Sequence, residues 1–181
     1  MNRISIAVVL FISFALFTVS NAEDISPDQF RRMVGDEIKA NGSSGDSIGT
    51  VMRVSGYGEK NRDFLIVPVV RNGSLVSVYR DDPKRSSITE ICSKSNVKAL
   101  KLTLFSIEGA KRELDKQGVV DPVPKLISVG PISFLGALSA GWYHDTGESF
   151  VFLSLSGRLV TESDIARYWP EHLEDLRAVG R

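Results

Sequence analysis

The chain is predicted to be an α+β protein made of two repeated units, each a helix packed across a small antiparallel sheet. Two amphipathic helix patterns appear, each followed by alternating apolar segments. Two Gly-centred hairpin sequences also align, "VPVVRNGSLVS" over "VFLSLSGRLVT", with Gly73 over Gly157, Val67 over Val151 and Val76 over Val160. The units drawn from this pattern are residues 23–90 and 91–181, preceded by a leader at 1–22.

The leader comes first. Arg3 gives a basic start, Ile4 to Val19 form an apolar run, and Ser20 and Ala22 supply the small residues of a cleavage site, which together read as a secretory signal peptide. The run is shorter than the roughly 20 residues that span a bilayer comfortably, so cleavage before Glu23 is expected. After removal no membrane-spanning stretch is expected, and the protein should be secreted or extracytoplasmic: extracellular, periplasmic or in the cell envelope.

In "ISPDQFRRMVGDEIKANG", Ser26 precedes Pro27 and Gln29 follows three positions later, while Phe30, Val34 and Ile38 recur at steps of four. This predicts an N-capped helix from Pro27 to Ala40 with Gly42 as its stop. "IGTVMRVSGYG" and "RDFLIVPVV" read as strands, and Arg71-Asn72-Gly73-Ser74 as the turn into "LVSVYRD". Pro68 lacks an N–H and should face a sheet edge or a bulge.

The second helix runs from a cap at Ser106 through Ile107, Ala110 and Leu114 to a stop at Gly118. "PKLISVG", "ISFLGALSAGWYH", "ESFVFLSLSG" and "RLVTES" read as further strands, and the C-terminal segment as short helical turns interrupted at Pro170. The first unit, "FLIVPVVRNGSLVSVYRDD" behind its helix over residues 26–82, resembles the PepSY and PepSY-like domains; residues 106–162 resemble them more loosely. Asp81-Asp82-Pro83 and Glu162-Ser163-Asp164 depart from the usual hairpin ending of that family. The resemblance implies a binding or inhibitory module of the protease-propeptide type, with no catalytic residues to carry over.

Composition narrows the function. The chain has 22 basic and 22 acidic residues, and losing Arg3 with the leader leaves one net negative charge. A nucleic-acid binder would show a basic excess or stripe, and there is none. Cys92, the single cysteine, permits no intrachain disulfide and reads as a small half-buried apolar residue. With His144 and His172 as the only histidines, no zinc-type spacing exists, and neither a metal nor another cofactor is expected.

His144 and Asp145, neighbours in "GWYHDTGESFVFLSLSGRLV", would point to opposite faces of a strand, so they are read as hairpin-turn residues at the surface and not as catalysts. No catalytic residue is assigned. Partner-binding candidates are the aromatic pairs Trp142, Tyr143 and Tyr168, Trp169. Asn41 and Asn72 head Asn-Gly-Ser sequons and are candidate glycosylation sites. The expected function is a secreted non-catalytic binding module with a protein partner, a secreted peptidase being the class the resemblance implies. The competing readings are a cell-envelope spacer with no protease target and an enzyme with an unrecognised site.

Overall fold

The computed structural model describes residues 25–58, 62–82, 86–130 and 138–180. The expected leader at 1–22, and the start of the strand expected over 132–144, lie outside the described residues.

Helix α1 spans Pro27–Asn41; Ser26 is extended (ψ 153°), and its side chain accepts from the Gln29 N–H. This satisfies one of the donors a helix start leaves open. The apolar stripe buries Phe30 and Val34 fully, each contributing about 1.5–3 kcal/mol. The strands are β1 (Asp46–Ile48), β2 (Met52–Gly56), β3 (Phe64–Arg71), β4 (Ser74–Asp82) and β5 (Ser87–Ser93), then β6 (Lys125–Ser128), β7 (Gly141–Asp145), β8 (Phe150–Ser154) and β9 (Leu159–Thr161). Between β5 and β6 come α2 (Lys94–Val97), a 3-10 turn at Leu102–Leu104 and α3 (Ile107–Lys116). The chain closes with α4 (Glu162–Tyr168), a 3-10 turn at Pro170–His172 and α5 (Leu173–Val179).

These strands form one sheet in the order β5-β4-β3-β2-β6-β7-β8-β9, with β1 paired to β3 beside β2. Every pairing is antiparallel except β2 with β6, which is parallel and joins Ser55 to Ile127 and Gly56 to Ser128. This single mixed sheet overturns the expectation of two repeated helix-on-sheet units. The boundary drawn between residues 90 and 91 falls inside β5.

The layers explain why the repeat does not exist. Leu65, Val67 and Val69 of β3 face α1, whereas Phe64 and Ile66 join the layer under α3, with Ala110, Leu114, Trp142 and Leu153. α3 thus packs on the opposite face from α1 and draws on both halves of the sheet. The face that α1 covers in the first half is covered in the second by α4 and α5, through Ile165, Leu176 and Val179 against Ile127, Tyr143 and Phe152. The second half therefore carries its counterpart of α1 after its strands, not before them.

Two local features follow their sequence cues closely. Pro68 pairs with Val78 on one side, and its carbonyl accepts from the Gly49 N–H (2.8 Å) on the other. Its missing N–H therefore faces the break between β1 and β2, beside a register irregularity at Val69/Val70. Arg71 at the end of β3 clamps β1, with Nε on Asp46 Oδ1 (2.6 Å) and Nη2 on Oδ2 (3.1 Å). Hydrogen bonding to that guanidinium, and then to the Ser43 N–H, holds the Asp46 carboxyl below the usual carboxylate range.

Candidate protein-binding surfaces

The four aromatic candidates separate into two kinds. Trp142 and Tyr143, adjacent on β7, are 4% and 2% exposed and project to opposite faces of the sheet. Trp142 Nε1 donates to the Leu104 carbonyl (2.9 Å), tying β7 to the turn ahead of α3. Tyr143 packs beside Phe150, with ring centroids 5.4 Å apart. Burial pushes its hydroxyl up to about 12, and the charges of Asp145 and Glu162 add to the shift. The core takes up both rings, so neither is presented as a surface anchor.

Tyr168 and Trp169 lie where α4 ends. Thr161 caps that helix in a reciprocal box with Asp164: the Asp164 N–H donates to Thr161 Oγ1, and the Thr161 N–H donates to the Asp164 carboxylate (3.0 Å). Those bonds, reinforced by the charges of Arg158 and Arg167, hold the Asp164 carboxyl below its ordinary range. Ile165 anchors the inner face of α4, which turns Tyr168 outward, 55% exposed. Pro170 then stops the helix and leaves Trp169 half-buried against the layer under α4 and α5.

The two rings meet edge to face at 5.7 Å. Arg167 lies 5.1 Å from the Tyr168 centroid, and Arg158, from the turn into β9, lies 5.9 Å from that of Trp169. Among the described residues neither guanidinium makes an ion pair, whereas Arg177 nearby in sequence is taken by Glu162 (2.7 Å) and Glu174 (3.0 Å). The result is an outward patch of Tyr, Trp and two unpaired Arg. The sequence reading found the aromatic pair but missed its arginines, because Arg158 reaches the patch only through the β8–β9 turn.

His144 and Asp145 require a correction. They are the last residues of β7, pointing to opposite faces as strand neighbours must, but His144 is not a surface turn residue. It is 7% exposed, pairs with Val151 across the sheet, and its Nδ1 accepts from the Val123 N–H (3.2 Å). The turn itself is made by Asp145 Oδ1 accepting from the Gly147 N–H (2.8 Å) and by Thr146 bonded to Ser149. Dipeptide chemistry identifies a bend but not which residue begins it.

His144 forms part of a cleft of about 790 Å³ between the Gly118–Val123 crossover and the β7–β8 hairpin. Its rim carries Val120 and Val123, 81% and 68% exposed. Sequence reasoning passed over "GVVDPVP", where the helix stop at Gly118 is followed by Val119-Val120 and by Val123 between two prolines, leaving Val120 and Val123 exposed.

Of the remaining candidates, Asn41 ends α1 and donates from its amide to Glu37 (2.9 Å), and Asn72 sits at φ 50° in the β3–β4 turn; both are exposed. Cys92 is buried in β5, and burial pushes its thiol up. His172 is half-buried, 3.7 Å from Glu171. Among the described residues no three His, Cys, Asp or Glu side chains converge as a metal site would require, and no helix is long and apolar enough to cross a membrane. No family model matches the chain, and no curated protein or solved structure matches it.

Proposed function

We propose that the chain is an exported, non-catalytic protein-binding module whose contact surface is the arginine-flanked aromatic patch at the end of α4. The observation that carries this reading is Tyr168, 55% exposed beside Trp169, with two arginines over the rings that make no ion pair among the described residues. Tyr, Trp and Arg are the residues that concentrate binding energy at protein interfaces, because each offers a large rigid area together with a polar handle. The unpaired guanidiniums favour a partner with carboxylates at the complementary position. The non-catalytic part of the reading is supported by the divergence of His144 and Asp145, which leaves the imidazole without that carboxylate as an orienting group.

The partner class is a secreted peptidase, as the PepSY-type resemblance of residues 26–82 implies. Secreted peptidases of the source organism, mixed with the purified chain, should lose activity as the chain approaches stoichiometric amounts. Arg167→Ala and Tyr168→Ala should each weaken that effect by about tenfold or more, the scale of an interface hot spot. Full peptidase activity at excess chain, or inhibition untouched by both substitutions, would overturn the reading. Export is tested separately: N-terminal sequencing of secreted material should begin at Glu23, and a return of Met1 would refute it.

A further inference from the structure

The cleft beside His144 contains a polar group that no described residue engages. Because the Val123 N–H donates to Nδ1, that nitrogen carries a lone pair, and in the neutral ring the hydrogen sits on Nε2. His144 is 7% exposed, yet among the described residues no buried side-chain nitrogen or oxygen lacks a hydrogen-bond partner. Nε2 has no partner among the described residues. It is therefore the part of the ring that reaches solvent, as an N–H donor set at the base of a cleft walled by Val120, Val123 and Val151.

We propose that this cleft binds an extended apolar peptide segment. One backbone carbonyl of the segment accepts from His144 Nε2, and its side chains cover Val120 and Val123. The charges lining the cleft are those of Asp121, Lys125 and Asp145, a net negative set that favours a neutral acceptor over a carboxylate. Rim valines at 81% and 68% exposure call for an occupant that extends past the cleft. A small molecule sunk beside His144 would leave them in water, whereas a peptide presents a carbonyl at every residue and apolar side chains on either side of it. The inference goes beyond the Tyr168 patch, which lies with α4 on the other face of the sheet, and does not depend on it.

The test is an NMR titration of the full mature chain with N-acetyl-Leu-Val-amide, and with N-acetyl-Gly-Gly-amide as a probe that keeps the carbonyls and lacks the side chains. The Leu-Val probe should give saturable shifts at the His144 ring and the methyls of Val120, Val123 and Val151, and the Gly-Gly probe should not. His144→Phe, which keeps a ring and loses the donor, should weaken binding by about tenfold, and His144→Gln, which can both accept and donate, should restore part of it. Because His144→Phe also removes the acceptor for Val123 and can disturb the fold, a Val120→Gln/Val123→Gln variant provides an independent arm and should weaken binding comparably. Equal binding of the two probes, absence of saturable shifts, or undiminished affinity in the double valine variant would each overturn the proposal, as would undiminished affinity in a folded His144→Phe protein.

Discussion

The β3–β4 and β8–β9 hairpins look alike in sequence and differ in the one property that decides packing. In the first, Asn72 and Gly73 both have positive φ (50° and 74°) and Arg71 pairs with Ser74, a two-residue turn of the kind whose twist matches the strands. In the second only Gly157 is positive (88°); its N–H donates to the Ser154 carbonyl and the Ser154 N–H donates to that of Arg158, a longer loop closed by a glycine bulge. Side chains alternate with a period of two, so a loop one residue longer reverses which face a given position serves. Val67 accordingly faces α1, whereas its aligned counterpart Val151 packs against the layer under α3. Aligned glycines thus establish that two turns exist, not that the strands leading to them are equivalent.

The largest expected effect tests the packing half of that contrast. Phe152→Ala in β8 removes a fully buried ring facing α4 and α5 and should cost about 3–5 kcal/mol in urea unfolding. A loss below 1 kcal/mol at Phe152 would mean the second hairpin is not covered on that face.

Next in size is His144→Ala. The substitution strands the Val123 N–H and opens a space beside Val151, so about 1–3 kcal/mol is expected, against at most about 0.5 kcal/mol for a surface turn residue. Unfolding curves of the two proteins distinguish these outcomes directly.

A smaller difference sharpens the turn comparison itself. Asn72→Ala places an unsuited side chain at φ 50° and should cost about 1–2 kcal/mol, whereas Ser156→Ala, at a position without positive φ, should cost about half of that or less. Equal losses would show that the two turns share a backbone conformation.

The smallest effect concerns pH. With the Tyr143 hydroxyl raised to about 12 by burial, folding favours the neutral phenol. Its contribution is complete below the unfolded value near 10 and is lost as pH rises through the folded value. Tyrosinate absorbance should show a late-ionising step that loses one tyrosine in Tyr143→Phe. Tyr79 of the first hairpin is also raised, by burial and then by Glu90.

Local chemistry was the legible part of this protein. The Ser26 and Ser106 caps, the Asn72-Gly73 turn and the Pro170 break each depend on neighbours a few residues away, and each appears where the sequence put it. What depended on distant partners was not legible. β5 has no period-two signal, since "SITEICS" places Ile88, Ile91 and Cys92 at steps of three and one, and its role as a strand is set by pairing with β4. The face on which α3 packs follows from the parallel junction of β2 with β6, which has no signature in either segment. Burial of Trp142 and exposure of Tyr168, the difference that divides the aromatic candidates, follow from the same layering.

The parallel junction also sets an order of events during synthesis. β2 can pair with β3 as soon as the first hairpin exists, but Ser55 and Gly56 must wait for Ile127 and Ser128, after β4, β5 and α3 have all been made. Closing so long a loop costs entropy before any contact rewards it. The edge of β2 near Ser55, and the apolar surface that α3 later covers, therefore stay open longest in the growing chain. That interval, more than any weakness of the finished fold, is when this protein is most exposed to pairing with the wrong strand.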